Sequence, residues 1–409
     1  MTSSRVWWTR QYASLRDSRA SILSSSREIP SRIRTSSPAW TGDDRISSQE
    51  PTLRLTLTVP PDSSRSQGIR TGSSTELVDH DAVPREWREL PERLGRGFRV
   101  AFLAGVDAGK TSLLLLTLNA TVGDGPVAVA DLDVGQPELC PPTTFALAEV
   151  RSPSYRLSSA NAVNIYPYGY STPAYHPPRF ALLVRRHLGH LPERGRVLMN
   201  LDGWVDGEQA ALLKAEMVRA LRPTDVVAID AELPGELREA CEEVGAEVHR
   251  VERPPTVHRR DREERRLARS MLYASALRGA SIRTEPASGV TFYPPDSDNP
   301  IQDPERYLLE TVRELDARSL ELGLELPEGF GTEPDLGSAG IGLLSYLTDQ
   351  GDALVGLALL LGFSRERNSV RLLTNRQGPI RHLRLGTVAL RYRPAIEEVG
   401  TVKSLLPPL

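Results

Sequence analysis

Residues 98–112 read FRVAFLAGVDAGKTS, and this stretch limits what the chain can fold into more than any other. An apolar run from Val100 to Leu103 leads into a loop of small residues. Gly109-Lys110-Thr111 follows, and then a leucine-rich run at 113–118 that reads as a helix. Strand, small-residue loop, Gly-Lys-Thr and helix, in that order, make a phosphate-binding loop. A strand delivers the loop, residues with little side chain let backbone N–H groups surround phosphate oxygens, and the helix points its positive dipole end at them. Gly105, Val106, Asp107, Ala108, Gly109 and Ser112 would line the nucleotide. Lys110 would reach its β- and γ-phosphates and Thr111 would ligate Mg2+. Ala104 stands where the consensus has its first glycine. Asp107 is an acid inside an anion site, so it is either a turn residue facing outward or has a role of its own.

The nucleotide reading predicts an α/β fold, and the rest of the chain supplies the alternation. Residues 127–130 read as a buried parallel strand ending in Asp131-Leu132-Asp133-Val134-Gly135-Gln136. Carboxylates at the C-terminal end of such a strand lie where α/β sheets place their chemistry. One could hold a metal or its water, and another could accept a proton from an attacking hydroxyl. Residues 161–190 read as a tyrosine-rich loop followed by a helix from about Arg179. Arg185, Arg186 and His187 on that helix are either a solvated face or a clamp on a substrate. Val197 to Met199 form a further strand, with Asn200, Asp202, Gly203 and Trp204 at its edge. Trp204 either caps the core or stacks on a nucleobase. Helix 207–221, strand 225–230 and helix 234–244 continue the alternation. Residues 258–278 hold seven arginines. At helical spacing Arg262, Arg266 and Arg269 share a face, with Arg265 and Arg269 one turn apart. Such a run is either a solvated helix or a set of cations that closes over a phosphoryl group.

From about residue 280 the composition shifts: residues 286–304 are rich in Pro, Asp and Asn and read as a linker or long loop, a helix covers roughly 304–322, and residues 328–338 are glycine-rich. A set of about six short strands at 339–393 follows. Residues 1–82 are rich in Ser and Arg, and few apolar positions are present to offset ordering entropy. They read as disordered, as a targeting segment, as a nucleic-acid tail, or as the product of a start codon placed too far upstream. Residues 52–60 alternate like a short strand. The 409 residues carry a net charge of −3, so no global basic field marks a nucleic-acid binder. Two cysteines, Cys140 and Cys241, form no framework and fit a reducing compartment. No apolar run is long enough to span a bilayer. A cytoplasmic location and no membrane partner are expected.

These motifs together resemble the polynucleotide 5′-hydroxyl kinases. That family includes archaeal RNA and DNA 5′-kinases, a ribosomal-RNA processing kinase and the kinase subunit of the eukaryotic pre-mRNA cleavage factor. The resemblance rests on AGVDAGKTS, DLDVGQPELCPPTT, the STP turn at 171–173, NLDGWV, the arginine-rich RRDREERR and the closing GFSRERNSVRLLTN and HLRLGTVALR segments. It implies a P-loop NTPase fold with a mostly parallel sheet flanked by helices, a small C-terminal β-rich domain and a disordered N-terminal tail. The implied divisions are 1–82, 83–280, 281–334 and 335–409. It implies ATP and Mg2+ as cofactors, bound through Lys110 and Thr111. Asp133 would activate a 5′-hydroxyl, Asp131 would touch metal or water, and Gln136 would hold the metal or phosphate environment. Thr172 and Pro173 would clasp the nucleotide, and Trp204 would stack on the terminal base. Arg262, Arg265, Arg266 and Arg269 would form a lid. The substrate would be the 5′-hydroxyl end of RNA or DNA, with protein partners in RNA processing. A catalytically weak ATP-binding scaffold of an RNA-processing complex is the alternative. Departures from the family are Ala104, Leu201 where many members have threonine, and the N-terminal extension.

Overall fold

A computed structural model describes residues 83–406, apart from 155, 190, 192–194, 256–258, 325–334 and 338–339. The N-terminal segment, with its expected tail and the strand at 52–60, lies outside the described residues.

The nucleotide-binding half begins with α1 (Arg85–Arg93), whose Trp87 and Leu90 are buried and whose Trp87 Nε1 donates to the Glu252 carbonyl at 2.9 Å. Then come β1 (Arg99–Ala104), α2 (Lys110–Thr121), β2 (Val127–Leu132), β3 (Thr144–Val150), β4 (Ala162–Pro167), α3 (Pro177–Leu188), β5 (Val197–Leu201), α4 (Glu208–Leu221), β6 (Asp225–Ile229), α5 (Gly235–Val244) and β7 (Glu247–Val251). One seven-stranded sheet runs in the order β4-β3-β2-β5-β1-β6-β7. β2, β5, β1, β6 and β7 are parallel, while β3 pairs antiparallel with both β2 and β4. Strands covered on both faces read as continuous apolar runs, and β1 and β6 are buried along their whole length. α2 is apolar along most of its length because most of it is enclosed, with Leu113, Leu114, Leu115 and Leu118 all buried. The β3–β4 hairpin replaces part of the loop expected at 161–190, and α3 starts at Pro177.

α6 (Arg262–Ala276) leads into a second sheet. Its strands are β8 (Ser281–Pro286), β9 (Thr291–Tyr293), β10 (Asp335–Gly337), β11 (Ile341–Thr348), β12 (Leu354–Ser364), β13 (Ser369–Thr374), β14 (His382–Arg391) and β15 (Glu397–Thr401). The order is β15-β14-β11-β12-β13-β8, with β10 beside β12 and β9 beside β14. Residues 281–293, read as linker from their polar composition, therefore supply two strands. α7 (Pro304–Glu321) buries Leu308, Val312 and Leu315 against one face, with Leu343, Leu360 and Leu383. α6 buries Tyr273 and Leu277 against the other, with Tyr346, Leu359 and Leu390. Covering both faces explains why β11 is buried at every position and does not alternate.

Polar contacts join the two sheets. Thr143 Oγ1 lies 2.5 Å from the Tyr346 hydroxyl, and Thr387 donates to the Gly169 carbonyl through N (3.1 Å) and Oγ1 (2.9 Å). Asp298 gathers Arg179 (2.8 Å), Arg186 (2.6 Å) and Arg384 (3.0 Å). Those guanidiniums hold its carboxyl at about 2 against the opposing effect of burial. Among the described residues no helix is long and apolar enough to cross a membrane.

Candidate active site

Five segments meet at the C-terminal edge of the parallel sheet. The first is the phosphate-binding loop. β1 ends at Ala104 without a positive φ, so alanine is tolerated where the consensus has glycine. The turn is made further on, by Asp107 (φ 54°) and Gly109 (φ 93°). Gly109 is the N-cap of α2 and offers no side chain to the first-turn amides, which leaves them for an anion. Lys110 Nζ donates to the carbonyls of Ala104 (3.2 Å) and Gly105 (3.4 Å). Thr111 and Ser112 are half-buried at the same helix start.

The second segment follows β2 and is folded around its two acids. Asp131 is fully buried. It accepts the backbone N–H of Glu138 (2.6 Å) and Leu139 (3.0 Å) on Oδ2, and Asn200 Nδ2 (2.9 Å) on Oδ1. Burial lifts its carboxyl to about 6 despite these donors. Expected as a metal or water contact, Asp131 holds the 133–139 turn in place. Asp133 Oδ1 accepts the N–H of Gly135 (3.2 Å) and Gln136 (3.0 Å), and its Oδ2 has no hydrogen bond among the described residues. Its carboxyl is raised above the ordinary range, chiefly by burial. Lys110 opposes that rise and Asp202 adds to it. Asp133 thus lies in the field of the loop lysine. Both amide atoms of Gln136 are buried without a partner among the described residues.

The third segment is the STP turn. Thr172 caps a short 3-10 turn by accepting Ala174 N (3.3 Å), and Pro173 is buried. A Cβ at Gly135 would stand 3.1 Å from the Ser171 carbonyl, so this turn lies directly against the Asp133 loop. The fourth segment follows β5, the strand beside β1. A Cβ at Gly203 would come within 2.9 Å of Val106 Cγ2 and 3.1 Å of its Cα, so glycine there lets the two loops touch. Asp202 accepts Trp204 N (3.0 Å) and forms a buried ion pair with Lys214 of α4. Burial lowers the Lys214 ammonium, against the pull of Asp202. Trp204 is half-buried against the core.

The fifth segment is the arginine-rich run. Asp261 and Glu264 form a capping box, so α6 starts at Arg262 and Arg260 precedes it. Arg260 and Arg265 both reach Asp107, at 2.8 Å and 3.4 Å. Arg262 is exposed. Arg266 and Arg269, expected in the lid, point to the second sheet instead. Arg269 holds Glu398 with two hydrogen bonds (2.6 and 2.7 Å), and Arg266 pairs with Glu263 (2.6 Å) and Glu397 (3.9 Å). The sequence reading missed Arg260 and Lys214. Asp-x-x-Glu at 261–264 marks the helix start and leaves Arg260 outside it. Lys214 is a lone charge on an otherwise apolar helix face. Arg185 of α3 and Arg219 of α4 both bond Glu216 of α4.

The comparisons agree with this layout. Residues 104–277 match the family model described as the P-loop of the mRNA cleavage and polyadenylation factor CLP1. The matched stretch runs from the end of β1 through α6 and includes all five segments. A polyribonucleotide 5′-hydroxyl-kinase of Thermococcus kodakarensis is 31% identical over 221 residues, covering 51% of this chain and 60% of that protein. One of Pyrococcus abyssi is 30% identical over 145 residues, covering 35% and 40%. A polynucleotide 5′-hydroxyl-kinase of Drosophila melanogaster is 26% identical over 164 residues, covering 37% and 16%. The chain therefore spans less than two thirds of each of these relatives. The solved structure of wild-type Clp1p with Pcf11p superposes with a TM-score of 0.50 at 14% identity, over 73% of this chain and 76% of that one. This is a likeness of fold.

Proposed function

We propose that this chain is an ATP-dependent kinase that transfers the γ-phosphate to the 5′-hydroxyl end of a polynucleotide, with RNA the first substrate to test. The observation that carries the reading is Asp133: a half-buried carboxylate with one open oxygen, in the field of Lys110 and beside a phosphate-binding loop. Phosphoryl transfer needs positioning and charge stabilisation more than covalent chemistry. The uncapped amides of α2 receive the phosphates, and Lys110 exchanges the Ala104 and Gly105 carbonyls for phosphate oxygens. Asp133, a stronger base than an ordinary carboxylate, accepts the hydroxyl proton at Oδ2. Arg260 and Arg265 add positive charge at the mouth of the loop, and Trp204 stacks on the terminal base. The residues present fit a divalent cation, since the Gln136 amide is buried without a partner among the described residues and Thr111 offers a hydroxyl. Thr111 and the Gln136 amide oxygen would hold Mg2+, which when bound would neutralise phosphate charge. A cytoplasmic location and protein partners in RNA processing fit the same reading.

The test is transfer of labelled phosphate from ATP to 5′-hydroxyl oligoribonucleotides and oligodeoxyribonucleotides by the full chain. Transfer is expected, with Lys110→Ala and Asp133→Asn each slower by about a thousandfold. Tight ATP binding with no transfer to any oligonucleotide would sink the kinase in favour of a scaffold, a reading that the named relatives do not favour.

A further inference from the structure

An acid in the middle of a phosphate-binding loop calls for a physical reason, because a carboxylate beside a triphosphate repels it. Asp107 is almost wholly buried, with a side-chain exposure of 4%. Its left-handed backbone and its bonds turn the carboxylate toward the segment before α6. Arg260 gives it two hydrogen bonds, from Nε at 2.9 Å and from its backbone N–H at 3.0 Å, and Nη2 lies 2.8 Å away in an ion pair. Arg265 Nη1 reaches it at 3.4 Å and also holds the Arg260 carbonyl at 2.6 Å. One anion therefore fixes two cations and the backbone between them. Neither guanidinium is used up. Arg260 keeps Nη1, and Arg265 keeps Nε and Nη2, with no acceptor among the described residues. Two arginines on one carboxylate leave a net positive charge at the loop, held in a fixed direction. A fixed fork is the form in which arginine recognises phosphate best.

We propose that Asp107 is a positioning residue: it aims Arg260 and Arg265, five residues apart, as the pair that faces the transferring phosphoryl group. This rests on the kinase reading and assigns the lid pair within it. The Asp107 carboxylate acts through the arginines, so its effect disappears once both are gone.

A double-mutant cycle tests this. Asp107→Asn removes the charge and keeps a residue that tolerates the left-handed backbone. It should lower kcat about tenfold while changing the KM for ATP less than about twofold. Arg260→Ala/Arg265→Ala should lower kcat further, and adding Asp107→Asn to that variant should slow it no more. The same cycle, read as affinity for ADP with aluminium fluoride and Mg2+, should show the same non-additivity. Multiplying losses, or an Asp107→Asn variant with unchanged kcat and unchanged analogue affinity, overturns the proposal. If the wild-type chain transfers no phosphate, the kinase reading falls, and the affinity cycle still decides whether Asp107 works through Arg260 and Arg265.

Discussion

At the root of the lid, Arg260 and Arg265 share Asp107 of the phosphate-binding loop. Arg266 and Arg269, further along the same segment, are held by Glu397 and Glu398 of the second sheet. The residue type is the same and the local sequence nearly so, yet the company is opposite. The rear pair meets at least as many acids as it brings, and Glu398 is further fixed by its N–H on Ser270 Oγ at 2.9 Å. Its charge is matched and its role is to join α6 to β15, beside the buried Tyr273 and Leu277. The front pair outnumbers its acid two to one and keeps donors in hand. Where cations outnumber anions beside an anion site, chemistry is the better explanation. Where they match one another away from it, architecture is.

The sharpest way to break this comparison is to remove one arginine from each end. Arg265→Ala should lower kcat by about a hundredfold, because a cation on the phosphoryl group acts mainly in the transition state. Its melting temperature should stay within a degree or two of wild type, since Arg265 is about one-third exposed. Arg269→Ala should do the reverse. It leaves Glu398 largely buried and unpaired, which costs on the order of 2 kcal/mol and lowers the melting temperature by several degrees. Its kcat, measured well below that temperature, should remain within about threefold. Thermal unfolding and steady-state kinetics on both variants decide it. If the two profiles are alike, the division of the lid is wrong.

Much of the front of this site is legible in the sequence, because contiguous motifs build it. Residues 104–111, 131–136 and 202–205 each carry their own turn chemistry, and each sits at a strand end. The lid register is not legible. Helical periodicity groups Arg262 with Arg266 and Arg269, but the partner that claims Arg269 lies 129 residues away at Glu398. Arg260 acts from outside the helix, where no periodicity reaches. β8 is missed for a related reason: it is an edge strand with mostly exposed residues, so its sequence reads as polar linker. The β3–β4 hairpin escapes because β4 includes Tyr166 and Pro167 at the start of a tyrosine-rich run.

Trp204 extends the comparison to the loop facing the lid. Its backbone is held by Asp202 and its ring is half-buried, so replacement removes an exposed half-face more than a core element. Trp204→Ala should raise the KM for oligonucleotide about tenfold, within the usual range for one stacked base, and lower kcat much less. Equal losses in both parameters would reassign the indole to the core.

The smallest expected effect separates front from rear by pH. Burial lifts the Glu138 carboxyl to about 7, Asp131 adds to the rise, and Arg260 pulls the other way. Between pH 4.5 and 7 the folded chain holds a proton there that the unfolded chain releases. Stability therefore falls as pH rises through that window, and the ionised side chain is a cost above it. Glu138→Gln removes the cost. Variant and parent should unfold together below pH 4.5, and at pH 8 the variant should be more stable by on the order of 1 kcal/mol. Because Arg260 relieves part of the burden, the gain should be larger in an Arg260→Ala background and unchanged in an Arg269→Ala background. A gain that grows equally in both would mean that Glu138 feels the lid's overall charge, and that the two ends of the segment are not electrostatically distinct.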